Sequence, residues 1–269
     1  MLLTQDQVSF YCRNGYLIVD KFLTPKEIET YAEEAQMLVN HCYEHGDIVT
    51  HWGCVIEPFG CELFDSTEVS EHARTTHKGF VSLRSSLFGS SSAATCTLDK
   101  FGRCAEQLLL ANSRDSDKIY LLNDQYIVKP PHEASAQFAW HQDILYFSKE
   151  ERQYPVISAW TPLSNVDEHN GTVLVDPFPN SSCPGVYTDL AHPQNARVFP
   201  AVMSAGSVLF MDGRLRHCSM GNSSSHFRTV YMPQFSLGRM VKQEATNARY
   251  TALAVPLDDM KLCLGQDKA

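Results

Sequence analysis

Phe138-Ala-Trp-His-Gln-Asp-Ile-Leu-Tyr-Phe147 decides which fold and which chemistry are expected of this chain. Apolar residues flank two polar ones, His141 and Asp143, that stand two positions apart. On an extended strand residues i and i+2 share a face, so both side chains project inward while Gln142 points away. A carboxylate in such surroundings is buried and needs a partner, and a divalent cation is an effective one. Two ligands alone bind weakly, so a third must arrive from elsewhere. His217 follows Asp143 by 74 residues, just beyond the apolar run Ser207-Val-Leu-Phe-Met211, from where a strand on the facing sheet brings it to the same pocket. Two imidazoles and one carboxylate make the facial triad that holds non-haem Fe(II) and leaves the opposite face open. Arg228, 11 residues past His217, carries a guanidinium suited to gripping the far carboxylate of a 2-oxoglutarate co-substrate.

The other histidines make poorer ligands. His41 and His45 stand four apart on a predicted helix, without the glutamate of a His-Glu-x-x-His arrangement. His51, His72 and His77 fall in a polar segment where loop contacts explain them, and His226 flanks the pocket without touching metal.

Around the central stretch, short β-rich runs recur at Ile119 to Val128, Gln137 to His141, Val156 to Pro162, Thr172 to Val175, Ser207 to Met211 and Thr229 to Phe235. Helices precede them. Thr4-x-x-Gln7 is a capping box whose helix should stop at Gly15, before the strand-like run Tyr16 to Phe22. Thr24, Pro25 and Glu27 open a second helix running towards Gly46, and a third is expected near Leu98 to Ala111. Residues 47 to about 100 show no clear pattern, with a loop expected over Gly89 to Ala94, and Pro179 to Pro200 reads as a long surface loop. Strands with uneven connections fit a Greek-key jelly roll better than an alternating α/β sheet. The expected fold is therefore mainly β with flanking helices: a cupin-like double-stranded β-helix with its core at about 115–240, an N-terminal helical region, and a single domain over residues 1–269.

Composition narrows the partners. Lys plus Arg number 22 and Asp plus Glu 31, a formal charge of −9 with no basic cluster, which disfavours nucleic acid and anionic lipid. No apolar run nears the roughly 18 residues of a membrane span, and neither a secretion signal nor a peroxisomal Ser-Lys-Leu address is seen, so the cytoplasm is the expected compartment. The 9 cysteines are scattered and never spaced Cys-x-x-Cys, which argues for reduced, packed thiols over disulfides or a zinc knuckle. A small-molecule substrate is expected; a homodimer is left open.

The chain resembles the phytanoyl-CoA dioxygenase family of Fe(II)- and 2-oxoglutarate-dependent oxygenases. The resemblance lies in His141-Gln-Asp-Ile-Leu-Tyr-Phe147, in Lys129-Pro-Pro131 upstream, in Ala159-Trp-Thr161 and Asn170-Gly171 downstream, and in His217 with Arg228 at the family's spacing. It covers roughly residues 5 to 235. It implies a double-stranded β-helix in which His141, Asp143 and His217 bind iron and Arg228 pairs with 2-oxoglutarate. It further implies that Gln125 and Trp160 line the co-substrate pocket, that Ser219 donates a hydrogen bond to the same carboxylate, and that Arg84 stands near the co-substrate. The segment Asp176-Pro-Phe-Pro-Asn180 departs from the family's usual turn, which puts a phytanoyl-CoA substrate in doubt and leaves the chemistry intact.

The implied reaction consumes 2-oxoglutarate and dioxygen, releases succinate and carbon dioxide, and oxidises an unactivated C–H bond by hydroxylation or desaturation. The carboxylate of Asp143 argues against halogenation, because related halogenating enzymes carry a small residue there. Phe138, Trp140, Tyr146, Phe147 and Phe59 or Phe80 suggest an apolar pocket for a small hydrophobic metabolite. The alternatives are an acyl-CoA 2-hydroxylase of the phytanoyl-CoA type, a cupin-like zinc hydrolase or isomerase, and a jelly-roll binding protein without metal.

Overall fold

The computed structural model describes residues 2–45, 55–56, 58, 76–111, 118–179, 185, 197–240 and 255–257. Both predicted capping boxes form. Helix α1, Gln5–Asn14, starts at Thr4, whose hydroxyl accepts from the Gln7 amide while the Gln7 side chain accepts from the Thr4 amide. Gly15 stops it in the left-handed region at φ 75°, where a side chain would be strained, and strand β1, Tyr16–Val19, follows at once. Helix α2, Pro25–His45, begins with the reciprocal pair Thr24 and Glu27; Gly46 lies outside the described residues.

Residues 76–111 differ from expectation. They form α3, His77–Phe88, then α4, Ser92–Cys96, a π-helical turn, Thr97–Phe101, and α5, Gly102–Leu110. The third predicted helix is thus the end of a run that starts at Ser92, and only Gly89–Ser91 of the expected loop is non-helical. The helix α3 is poor in strong helix formers, so its propensity is weak; burial of Phe80 and Arg84 holds it.

The strands are β2, Val55–Ile56, β3, Ile119–Lys129, β4, Phe138–His141, β5, Val156–Pro162, β6, Val173–Asp176, β7, Phe199–Pro200, β8, Val208–Asp212, β9, Arg216–Ser219, β10, Arg228–Leu237, and β11, Val255–Pro256. Each of the six β-rich runs is found, with ends displaced by at most two residues, whereas the strand-like run from Tyr16 stops at Val19, three residues short of Phe22. The strands build a seven-stranded sheet, β1-β8-β5-β10-β3-β11 with β2 also on β3, and a four-stranded sheet, β4-β9-β6-β7. From β3 to β10 the chain passes back and forth between the two sheets, which is the expected double-stranded β-helix. The Pro179 to Pro200 loop lies largely outside the described residues.

The large sheet has two differently used faces. Along β10, Tyr231 and Phe235 pack into the helix-side core with Tyr31, Phe101 and Phe210, whereas Val230 and Met232 face the small sheet with Trp160, Val173 and Leu209. Period-two alternation sends Arg228 and Gln234 to the same inner face. On β3, Gln234 pairs with Asn123 and Phe235 with Leu121, so Leu122 is the extra residue of a β-bulge. Among the described cysteines, Cys12, Cys42, Cys96, Cys104 and Cys218 are not joined in disulfides. Among the described residues no helix is long and apolar enough to cross a membrane.

Candidate metal centre

His141 is the last residue of β4, and Asp143 is the first of a 3-10 turn, Asp143–Tyr146, with Gln142 extended between them. The two side chains therefore meet at a strand-to-turn corner, where the sequence predicts two positions of one strand. Gln142 does point away, but into protein: its Nε2 donates to the Arg214 carbonyl at 2.6 Å, which ties the corner to the turn after β8. His217 lies on β9 as the cross-strand partner of His141 within the small sheet, not on the facing sheet. The chain leaves β8 through Asp212–Leu215 and changes sheets there, so the imidazoles stand side by side with ring centroids 4.2 Å apart.

The donor atoms converge. Nε2 of His141 is 3.4 Å and Nε2 of His217 3.5 Å from Asp143 Oδ1, and one ligand atom from each residue falls within 4.8 Å of the others. Each ligand is held by its second polar atom. His141 Nδ1 is 2.8 Å from the Ala139 carbonyl and His217 Nδ1 3.1 Å from the Leu215 carbonyl, contacts that keep the proton on Nδ1 and turn the Nε2 lone pair to the centre. Asp143 Oδ2 accepts from Ser158 Oγ at 2.5 Å and from Gln234 Nε2 at 3.1 Å.

Electrostatics match that geometry. Burial opposes ionisation of Asp143, yet His217, His141 and Ser158 outweigh it and hold the carboxyl well below the usual carboxylate range. Burial, helped by His141, pushes His217 down to about 4, so its imidazole is neutral near pH 7. Burial acts the same way on His141, but Asp143 more than offsets it and the net shift is upward. An ionised carboxylate and two imidazoles whose Nε2 atoms face a common centre are the donor set non-haem Fe(II) takes, with the metal displacing any proton from His141, and an open cleft on the far side leaves room for further ligands; the residues fit the ion.

That cleft is lined by all seven predicted site residues: His141, Asp143, His217, Arg228, Gln125, Trp160 and Ser219. At its cationic end Arg228 is 1% exposed, with its guanidinium carbon 5.6 Å from the Trp160 ring centre. Lys129, the register partner of Arg228, is wholly buried; its Nζ donates to Ser219 Oγ at 2.7 Å and to the Met220 carbonyl. Gly171, φ 81°, packs against that carbonyl so closely that a Cβ would lie 2.5 Å from it.

A family model described as phytanoyl-CoA dioxygenase matches residues 11–230. The chain belongs to the phytanoyl-CoA dioxygenase family. It is thus an enzyme of the non-haem iron, 2-oxoglutarate-dependent oxygenase class. Peroxisomal phytanoyl-CoA dioxygenase of Bos taurus is 22% identical over 256 residues, covering 87% of this chain and 69% of the bovine one. EctD of S. alaskensis, solved with 2-oxoglutarate and 5-hydroxyectoine, is 17% identical with a TM-score of 0.62, over 88% of this chain and 78% of its own. The non-heme alpha ketoglutarate dependent carbocyclase SnoK from nogalamycin biosynthesis is 14% identical with a TM-score of 0.61, over 94% and 92%. These two likenesses concern the fold.

Not every residue expected near the pocket of this phytanoyl-CoA dioxygenase relative is there. Phe138, Tyr146 and Phe147 line it, but Trp140 stands against Arg216 at 5.9 Å and Phe80 sits in the helix-side core; Phe59 lies outside the described residues. Arg84 does not line the cleft. It lies across the large sheet, bound to Glu34 and Asp124, because α3 packs on the outer face. His226 is exposed, 3.0 Å from Ser225 Oγ. Sequence reasoning does not single out Ser158, Gln234 and Asn123, and it gives Lys129 no role. Their signal was period two: Ser158 stands two before Trp160, Gln234 six after Arg228, and Asn123 and Lys129 share a face with Gln125.

Proposed function

We propose that His141, Asp143 and His217 hold Fe(II), and that Arg228, with Ser219 and Lys129 beside it, holds the far carboxylate of 2-oxoglutarate. The observation that carries this is the division of labour at each ligand: one polar atom bonded to protein, the other turned to a common point. The cationic end supplies the second anchor, since a buried guanidinium next to an ammonium and a hydroxyl matches a carboxylate. Trp160 packs under the guanidinium, its ring centre 5.6 Å from the guanidinium carbon. Bound iron supplies the centre at which 2-oxoglutarate and dioxygen are consumed, giving succinate, carbon dioxide and an oxidised substrate carbon.

The substrate we propose is a small, largely apolar metabolite, oxidised at an unactivated C–H bond by hydroxylation or desaturation. Ile127, Phe138, Phe147, Val173 and Met232 supply the apolar walls that support this. Fold alone does not choose the reaction: the neighbour SnoK is named a carbocyclase, and EctD was solved with a hydroxylated ectoine. An acyl-CoA substrate, suggested by the bovine relative's name, is a weaker reading, because coenzyme A calls for basic residues at the mouth and the chain carries a charge of −9. Anaerobic titration with Fe(II) and 2-oxoglutarate tests the site. A visible metal-to-ligand charge-transfer band is expected in wild type and not in His217→Ala; no band in the first, or a surviving band in the second, removes the assignment.

A further inference from the structure

We propose that Gln125 is the specificity-determining residue for the substrate and that it offers a hydrogen-bond donor, so that the substrate bears a carbonyl or carboxylate oxygen at that end. The inference rests on the roles proposed above for Asp143 and Arg228. A glutamine side chain has an accepting and a donating end, and which one meets a ligand depends on what fixes the other. Here a continuous line of contacts fixes it.

The line starts at Asp143, a carboxylate, which accepts and does not donate. Gln234 therefore turns its Nε2 to Asp143 Oδ2, 3.1 Å, and to Ser158 Oγ, 2.8 Å. Its Oε1 is left facing Asn123, whose Nδ2 donates to it at 3.3 Å. The orientation of Asn123 is set independently, because its Oδ1 accepts the backbone N–H of Asp124 at 3.0 Å. Two separate constraints thus agree on where Asn123 Nδ2 points. The same nitrogen donates to Gln125 Oε1 at 3.0 Å. With its oxygen turned to Asn123, Gln125 presents Nε2 to the cleft it lines, and among the described residues that nitrogen has no protein partner.

Register places this donor away from the co-substrate anchor. The inner face of β3 runs Asn123, Gln125, Ile127, Lys129, opposite Gln234, Met232, Val230 and Arg228 on β10. Amides occupy one end and cations the other, with aliphatic side chains between. At about 3.4 Å per residue the backbones of Gln125 and Lys129 are roughly 14 Å apart. Asp143 touches the amide end, through Gln234, so 2-oxoglutarate anchored at Arg228 approaches the triad from the cationic end and leaves Gln125 to the substrate. This reassigns Gln125, which family resemblance places beside the co-substrate.

The test uses the full chain loaded anaerobically with Fe(II) and 2-oxoglutarate, and two neutral bicyclic probes of similar shape: 1-indanone, which only accepts, and indole, whose N–H only donates. Calorimetry on wild type is expected to show 1-indanone binding about 3- to 10-fold more tightly, the weight of one neutral hydrogen bond. Gln125→Met should level the two, and Gln125→Glu should reverse the order. In ¹⁵N-labelled protein the side-chain NH₂ signal absent from the Met variant should shift with 1-indanone and not with indole. Equal affinities in wild type, an order unchanged by Gln125→Glu, or an NH₂ signal that ignores 1-indanone overturns the proposal. The charge-transfer band separates the two levels: without it the metal-site assignment fails, whereas with the band present a flat probe preference defeats this inference alone.

Discussion

The large sheet carries a buried charge cluster on each face, and the two are built on opposite plans. On the outer face Arg84 donates to Glu34 through Nε and Nη2, to Asp124 and Tyr231 through Nη1, and to Tyr126 through Nη2. Tyr31 stacks on Tyr231 at 4.3 Å, and both hydroxyls bond Thr97. Every donor of that guanidinium ends on protein. Facing the inner side, Asp143 and the imidazoles, carried by the small sheet and the turn after β4, direct one polar atom each towards a cleft. Charge closed upon itself fixes how helices sit on a sheet; charge aimed at open space is a place for a ligand. Arg84 and Arg228 are both almost fully buried arginines, and only the identity of their surroundings separates a structural cation from one proposed to hold a ligand.

The comparison is broken most severely by removing a ligand. Asp143→Ala should abolish iron binding and succinate formation, measured by metal analysis of purified protein and by product assay. It should leave stability within about 1 kcal/mol, because Ser158 and Gln234 keep their own 2.8 Å hydrogen bond. Arg84→Leu should do the reverse. It strands Glu34 and Asp124 in the core, so a loss of about 3–5 kcal/mol is expected in urea unfolding, while the protein that remains folded binds iron with wild-type affinity. An Arg84 variant that loses iron at full stability would show that the clusters do not divide in this way.

A smaller change sharpens the inner cluster alone. Ser158→Ala and Gln234→Leu each remove one bond to Asp143 Oδ2 and free the carboxylate to swing, so iron affinity should fall about 10- to 100-fold, as seen by competition with a chelator. These two residues also show what could be read from the sequence. The ligands were legible because a His-x-Asp pair among apolar residues, a distant histidine and an arginine at a fixed spacing restrict each other. The strands were legible because they are short runs rich in β-branched, aliphatic and aromatic residues between turn residues. Arg84 was misplaced because a buried cation looks the same in sequence whether a ligand or a carboxylate neutralises it, and its carboxylates lie 50 and 40 residues away. Helix α3 was invisible because packing, not propensity, makes it. The corner at Asp143 escaped because a 3-10 turn and a strand end can present the same three residues.

The smallest effect concerns how the outer cluster is anchored. Helix α2 brings Glu34 and Tyr31 to Arg84, and its first turn is fixed by Thr24 and Glu27, with Lys100 2.7 Å from the Glu27 carboxylate. Burial works against ionisation of Glu27, but Lys100 and Thr24 more than offset it, and the net shift of its carboxyl is downward. A folded-state value below the unfolded one, about 4.3, means that Glu27 contributes stability above that pH and loses the contribution as pH falls through the folded value. Glu27→Gln should therefore lower stability at pH 7 and not at pH 3, so that the difference between variant and wild type closes on the acid side. Thr24→Ala, which removes the cap itself, should cost about 1 kcal/mol. Neither variant should alter iron affinity, because the cap acts on the outer face and the sheet lies between. If Glu27→Gln instead weakens iron binding at constant pH, the outer cluster is coupled to the triad through Asp124 and Asn123, neighbours on β3 that face opposite ways, and the two faces form one unit.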